Sequence, residues 1–195
     1  MLRRVITKRC VIQGIPAGLA LSLLPQSGSA GSGGYARIVA HYDVPDIRLI
    51  DMHGREIRIR DALRDQEPNI LQFMFTTCSG ICPISSALLA GAQQNIEAVG
   101  ENVRFWSISI DPEADTPDRL HAYAEAYGAG PNWQFFTGRL DDIIALQKAF
   151  DAYRDNKTRH EPLIFIRLQD DQWIRLDGLL SVSEFVSEYH RAAHH

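Results

Sequence analysis

The order of apolar and polar positions divides the chain into strand-like and helix-like segments. The run NILQFMF at 69–75 is apolar almost throughout, which is typical of a strand buried on both faces of a sheet, and VRFWSISI at 103–110 is interpreted as a second buried strand. Before them, DIRLID at 46–51 and REIRIR at 55–60 alternate apolar and polar residues around a glycine turn. That alternation predicts a β-hairpin ahead of the buried strands.

Helical signals follow each buried strand. Pro83 opens a stretch with apolar positions at Ile84, Leu88 and Val99, and proline is favoured in the first turn of a helix. The segment DTPDRLHAYAEAYG at 115–128 has a capping threonine, an early proline and a closing glycine. It therefore predicts a second helix.

The rest of the chain adds further strands and helices in a recognisable order. The pattern predicts a short strand around WQFF, a helix from Leu140 to about Phe150, strands at LIFIR and WIRL joined by a turn, and an amphipathic helix from near Ser183. A βαβ unit followed by a hairpin and a closing helix predicts an α/β protein with a thioredoxin-like fold. An N-terminal β-hairpin and an inserted strand and helix extend that fold.

The beginning of the chain has the layout of an export signal. Four basic residues lie in the first nine positions, an acid-free apolar run follows at 11–24, and small residues come next, with a cut site expected after Ala30. The start RRVITK resembles a twin-arginine signal, which leads to the periplasm. A mitochondrial presequence and an uncleaved, weakly membrane-associated anchor at 11–24 are the alternatives. We expect a signal at 1–30, a flexible linker at 31–40 and the functional domain at 41–195.

Removing the signal leaves an acidic body with two cysteines. The chain has 20 basic and 24 acidic side chains, and the signal takes four basic ones, so 16 remain against 24, a net charge of −8. An acidic surface argues against nucleic acid as a partner, because binding it needs basic side chains that replace counterions. Cys10 leaves with the signal, and Cys78 and Cys82 alone are too few for a disulfide scaffold.

The loops after the two buried strands carry the reactive side chains. TTCSGIC follows the first strand and DPEADT the second, at the carboxyl ends where ligands bind in open α/β sheets. The strand LIFIR is expected to run antiparallel to them, which brings the preceding His160 to the same edge. The two thiols lie at the start of a helix, whose amino end favours the thiolate. Together with the imidazole they would form a site of two sulfurs and one nitrogen. Such soft ligands select copper, above all Cu(I), or zinc.

These segments together resemble a known family. FTTCSGICP, SIDPEADTP and a later isolated histidine, in this order and spacing, look like the Sco (SenC) copper chaperones over roughly residues 40–190. The resemblance implies a thioredoxin-like fold and copper, as Cu(I), Cu(II) or both, with Cys78, Cys82 and His160 as its ligands. It also implies two kinds of partner. These are a copper-receiving subunit of cytochrome c oxidase or another copper enzyme, and a thiol reductant.

Two positions depart from the family pattern. Arg159 stands where members commonly carry an aspartate before the histidine, and Ser79 stands where they often have a proline. An arginine cannot support the imidazole as a carboxylate would. Pro162 begins the strand LIFIR much as the cis-proline does in thioredoxins, which keeps thiol exchange open as a function.

Three functions of different classes compete for the cysteine loop. The first is metal delivery without turnover, and the second is thiol-disulfide exchange on a partner's cysteines. The third is a peroxidase, and it is disfavoured because Phe75 and Ser79 occupy the positions of a peroxiredoxin's proline and threonine.

Other polar residues are expected to have structural roles. Asp111, Asp115 and Thr116 would turn the chain and cap a helix. His190 and His194 are one helical turn apart, yet a solvated chain end is expected there rather than a metal site.

Replacing Arg3 and Arg4 with lysine is expected to block export by a twin-arginine route, because that route requires the arginine pair, whereas a general secretory route requires only positive charge. Fractionation of a bacterial host that expresses the full chain measures export, with Arg9→Lys as the control. Normal export of the double variant would contradict the twin-arginine assignment.

Overall fold

In the computed structural model, which describes residues 34–64, 68–168 and 171–193, one mixed eight-stranded sheet is packed between helices. The predicted signal, the start of the linker and His194 lie outside the described residues. No helix in the described ranges is long and apolar enough to cross a membrane. The elements are β1 Tyr35–His41, β2 Arg48–Asp51, β3 Glu56–Arg58, α1 Ile59–Arg64, β4 Asn69–Met74, α2 Ile81–Ala98, β5 Arg104–Ser109, α3 Pro117–Ala126, β6 Trp133–Gly138, α4 Leu140–Ala149, β7 Leu163–Arg167, β8 Gln172–Gly178 and α5 Val182–Ala193.

Strand β4 is central, and its sequence accounts for its position. The strand order is β1-β8-β7-β4-β5-β6-β2-β3, with β4, β5 and β6 parallel and β7 antiparallel to β4. Ile70 and Met74 face one core, together with buried residues of α2, α3 and α5. Leu71 and Phe73 face the other core, which includes buried residues of α1 and α4. A strand covered on both faces needs the continuous apolar run that the sequence has there.

The predicted fold class is confirmed. The hairpin forms as the antiparallel pair β2 and β3, and the two apolar runs form β4 and β5. Helix α3 is capped by Thr116, whose Oγ1 accepts a hydrogen bond from the N–H of Arg119 at 3.4 Å. Gly128 follows that helix with φ +63°, a conformation that glycine adopts without steric cost.

The linker prediction is wrong for residues 35–40. These residues belong to β1, which pairs antiparallel with β8 along all seven of its residues. The buried carboxylate of Glu188 on α5 fixes this strand, because it accepts bonds from the Tyr35 hydroxyl at 2.8 Å and from Arg37 Nε at 2.9 Å. The glycine-rich sequence before the strand gives no sign of this distant partner.

Two helices differ from the sequence prediction. The second arm of the hairpin ends at Arg58, and Ile59 begins the short helix α1, because Ile59 and Leu63 bury their side chains one turn apart. Helix α2 begins two residues before Pro83. Of its predicted apolar positions Leu88 is buried, whereas Ile84 and Val99, which follows the helix, are exposed.

Glu188→Ala is expected to lower the free energy of unfolding by roughly 3 kcal/mol, because it removes the common acceptor of Tyr35, Arg37 and Arg191 from a buried position. Urea unfolding followed by circular dichroism measures the change, and hydrogen exchange in β1 should rise with it. Protection of β1 equal to that in the parent chain would contradict the anchoring of this strand by Glu188.

Candidate metal centre

The sheet brings three reactive segments to one edge. Because β4 and β5 are parallel, the loops that leave their carboxyl ends emerge side by side. Strand β7 is antiparallel to β4, so the segment that enters it arrives at the same edge. The predicted convergence of the cysteine loop, the DPEADT loop and the histidine segment is therefore confirmed at the level of topology.

The two cysteines lie on the first turn of α2 and just before it. Cys82 is buried within the core, whereas Cys78 is half-buried, and both thiols are free in the structure. The backbone N–H of Cys82 donates to Cys78 Sγ at 3.5 Å. Gly80 precedes the helix without a side-chain cap, so Cys78 occupies the place where a capping acceptor would otherwise lie.

This geometry gives the two thiols opposite acidities. Burial alone would raise the pKa of Cys78, but hydrogen bonds from the backbone N–H groups at the start of α2 and from the Cys82 thiol outweigh it, so the pKa lies below its ordinary value. Burial, and next the hydrogen bond with Cys78, raises the pKa of Cys82. Cys78 is thus the more nucleophilic and accessible sulfur, and Cys82 keeps its proton.

His160 lies beside the strand that leads to the cysteines. Its Nε2 lies 2.8 Å from the carbonyl oxygen of Phe73, and its ring contacts that of Phe75 edge-on at 6.4 Å between centroids. A carbonyl only accepts hydrogen bonds, so Nε2 carries the proton and Nδ1 of the neutral ring keeps a free lone pair. Burial lowers the pKa of His160 and outweighs the opposing effects of the Phe73 carbonyl and Glu161. The imidazole is therefore neutral near pH 7, as a metal ligand must be.

The predicted ligands share an edge without forming a closed site. Within the described ranges no group of three or more histidine, cysteine, aspartate or glutamate side chains is arranged to hold a metal ion. The two cysteines contact each other, while His160 contacts the backbone of β4 instead. Binding an ion on all three residues would need a rearrangement of the loops at this edge.

A salt bridge that the sequence did not reveal joins two of the loops. Lys157 Nζ lies 2.6 Å from Asp111 Oδ2 and also lies over the Phe75 ring, 5.7 Å from its centroid. Lys157 begins a single 3-10 turn that ends at Arg159, and the N–H of His160 bonds to the Lys157 carbonyl at 3.2 Å. The DPEADT loop is thereby tied to the segment that carries the histidine. Asp111 thus does more than turn the chain.

A cavity of about 230 Å³ opens beside this salt bridge. Residues of the DPEADT loop and His160 both contribute to its lining. Its wall contains both apolar and charged side chains and includes Ile110, Asp111, Leu140, Tyr153, Lys157 and His160.

The remaining histidines lie away from this edge or outside the described residues. The rings of His53 and His121 meet edge-on at 5.5 Å between centroids, a contact that sequence reasoning missed because it joins the hairpin turn to α3. His190 lies 3.6 Å from a carboxylate oxygen of Glu101. Met74 is part of the core and Met52 packs against it, as expected for structural methionines.

Comparisons with known proteins identify the family. The SCO1/SenC family model matches residues 40–176, most of the chain. The chain belongs to the SCO1/SenC family. A SCO1 protein homolog of Bacillus subtilis is 32% identical over 129 residues, which are 66% of this chain and 64% of that protein. This chain therefore spans somewhat less than two thirds of that relative.

Solved structures of the family share the fold. BsSco is a member of the Sco family of cytochrome c oxidase assembly proteins in which a disulfide switch has been identified. It aligns with a TM-score of 0.67 and 25% identity over 78% of this chain and 94% of BsSco. Arabidopsis thaliana ScoI with copper bound aligns with a TM-score of 0.65 and 23% identity over 75% of this chain and 95% of that chain.

Alkylation by iodoacetamide requires the thiolate, and the folded state lowers the pKa of Cys78. In the reduced, metal-free protein, alkylation of Cys78 is therefore expected to reach half its maximal rate at a lower pH than in the denatured chain. Cys82→Ala removes one donor to Cys78 Sγ and should move the midpoint back upward. Mass spectrometry of the modified peptide measures both. Equal midpoints in folded and denatured chains would contradict the stabilised thiolate.

Proposed function

We propose that this protein binds copper through Cys78, Cys82 and His160 and delivers it during assembly of a copper enzyme, with the copper-receiving subunit of cytochrome c oxidase as the first candidate acceptor. One observation carries the proposal. An accessible, thiolate-prone sulfur and a buried sulfur lie at the start of one helix, and a neutral imidazole enters the same sheet edge. The copper bound to a relative's structure and the assembly role stated for BsSco support it.

The donor set fits copper as a cargo. Two sulfurs and one neutral nitrogen suit Cu(I), and the imidazole adds the nitrogen that Cu(II) favours. Three protein ligands leave a position through which an acceptor can exchange the ion, whereas structural sites are usually closed by four. Of the acids in the DPEADT loop, Asp111 is paired with Lys157 and Asp115 accepts from Thr76 and Ser109, so neither is free to help form a carboxylate site for a hard cation.

The two sulfurs have different tasks in loading and release. Cys78, half-exposed and thiolate-prone, meets the incoming ion first. Cys82 holds its proton in the metal-free state, so binding through its sulfur must release that proton. Loading should therefore become tighter as pH rises, and a buried second ligand protects the bound ion from solvent. His160 contributes through Nδ1, or through Nε2 once the ring leaves Phe73.

The setting of this function is outside the cytoplasm. The export signal predicted at 1–30 would deliver the acidic domain to the periplasm. If the signal is retained, residues 11–24 would instead attach the domain to a membrane surface that faces the periplasm. An oxidising compartment would join the two cysteines as a disulfide, so a thiol reductant must keep them reduced before they can bind copper. Nucleic acid is not among the proposed partners.

Thiol-disulfide exchange is the second candidate, and the asymmetry of the cysteines favours it. An exposed cysteine of low pKa attacks a partner's disulfide, and a buried neighbour then resolves the mixed disulfide. Cys78 and Cys82 have this order of exposure and acidity. The disulfide switch named for BsSco belongs to that protein and is consistent with such a reaction here.

Cys78→Ser and Cys82→Ser are each expected to abolish tight copper binding while leaving the fold intact. His160→Ala should lower copper affinity sharply, most clearly for Cu(II). The same variant should change the reduction rate of a model disulfide by less than about tenfold, or roughly 1.4 kcal/mol in the barrier, because exchange depends on the thiolates. Anaerobic copper titration and disulfide reduction are measured on one preparation, with His53→Ala as the matched histidine control.

Rescue of oxidase assembly in cells that lack the native protein decides between the two functions. Lost copper binding, retained exchange and failed rescue by His160→Ala would support delivery of copper. Lost copper binding with full rescue would make thiol exchange the function. Tight, stoichiometric copper in either cysteine variant would contradict the proposed ligand set.

A further inference from the structure

The buried carboxylate of Asp115 binds the segment that leads to the cysteines. Asp115 is completely buried, and no described lysine, arginine or histidine forms a salt bridge with it. It accepts instead from the backbone N–H of Thr76 at 3.0 Å, from Thr76 Oγ1 at 2.5 Å and from Ser109 Oγ at 2.6 Å. Hydrogen bonds to a charged group are the strong ones, and a buried carboxylate needs them.

Thr76 is the first residue of the segment that carries Cys78. From there to α2, Thr77, Ser79 and Gly80 are exposed and Gly80 has no side-chain cap, so the remaining support comes from Cys78, which packs against the core and accepts from the start of α2. A bond from the N–H of Cys78 to the Phe75 carbonyl, at 3.2 Å, spans the turn itself. The orientation of this turn relative to the sheet therefore depends on how its first residue is held.

Ser109 makes the support rigid. Its hydroxyl donates to Asp115 and accepts from the backbone N–H of Asp111 at 3.0 Å. The N–H of Asp115 in turn bonds to the carbonyl of Asp111 at 2.9 Å, which closes the DPEADT loop on itself. The carboxylate thus projects from a loop that β5 and its own hydrogen bonds hold in place.

We infer that Asp115 is a positioning residue for the two sulfurs: by holding Thr76 at both its N–H and its hydroxyl, it sets the place of Cys78 relative to Cys82. The inference deepens the proposed copper-binding function and rests on it for its biological meaning. Two of the three acidic residues of the DPEADT loop then have separate roles. Asp115 orders the cysteine side of the edge, while Asp111, through Lys157, orders the histidine side.

The test uses a probe of sulfur geometry that does not depend on copper. Phenylarsine oxide condenses with two thiols to form two As–S bonds and releases water, so its affinity reports whether both sulfurs reach one atom. Asp115→Ala should weaken both phenylarsine oxide and Cu(I) by roughly 10- to 100-fold, the usual loss when a group that orients a metal ligand is removed. If the parent chain bound the arsenical but not copper, the proposed function would fail while the positioning role could still be judged.

Two further variants separate positioning from stability. Asp115→Asn keeps acceptor and donor atoms for Thr76 and Ser109, so it should retain most of the arsenical affinity. Thr76→Val removes only the hydroxyl bond and should give an intermediate loss, which keeps the test available if Asp115→Ala fails to fold. Glu188→Ala, another buried carboxylate lost far from the cysteines, should lower stability without changing either affinity.

The outcomes are distinct. A loss in Asp115→Ala that Asp115→Asn restores and Glu188→Ala does not reproduce supports the positioning role. Arsenical affinity within about threefold of the parent in folded Asp115→Ala or Thr76→Val, a change below about 0.7 kcal/mol, would overturn it. An equal loss in Asp115→Asn and Asp115→Ala would also overturn it, since charge rather than loop anchoring would then be responsible.

Discussion

The site depends on how three strands pair. Strand β5 is parallel to β4, and β7 is antiparallel to it. This pairing places two strand exits and one strand entry at a single edge of the sheet. Most of the residues that make these pairings are apolar and belong to the cores on the two faces of the sheet, so the hydrophobic cores hold the edge in place. Loops can then carry reactive groups without contributing to the folding of the sheet.

At this edge of the sheet, the cysteine segment is held more firmly than the histidine segment. Asp115 binds the start of the cysteine segment through buried hydrogen bonds, whereas the histidine segment is held by a half-exposed Lys157–Asp111 pair and by the bond from His160 to Phe73. Asp111 is buried but Lys157 is half-exposed, so water competes for this ion pair, whereas the carboxylate of Asp115 is completely buried, and the second attachment is the weaker one. Such a difference fits the proposed delivery of copper, in which sulfurs that stay in place would retain the ion while a ligand that moves would admit and release it.

The sequence predicted whatever depended on local pattern. The apolar runs, the hairpin and the capped helix α3 followed from periodicity and from residues such as Thr116 and Gly128. Strand β1 was missed because the groups that hold it, strand β8 and Glu188, lie some 130 to 150 residues away in the sequence. The Asp115–Thr76 and Lys157–Asp111 contacts join loops that are distant in sequence, and no spacing rule indicates which acid meets which donor. His160 was placed at the correct edge by topology, but its bond to Phe73 depends on a side-chain orientation that the sequence does not specify.

The most direct measurement is X-ray absorption at the copper edge of the reduced protein loaded with one equivalent of Cu(I), compared with His160→Ala prepared in the same way. Sulfur and nitrogen neighbours scatter differently, so the spectrum identifies the ligands themselves rather than their effect on affinity. The proposed site predicts two sulfurs and one nitrogen in the parent chain, and loss of the nitrogen in the variant. A shell without sulfur, or a nitrogen contribution unchanged in the variant, would contradict copper binding by Cys78, Cys82 and His160.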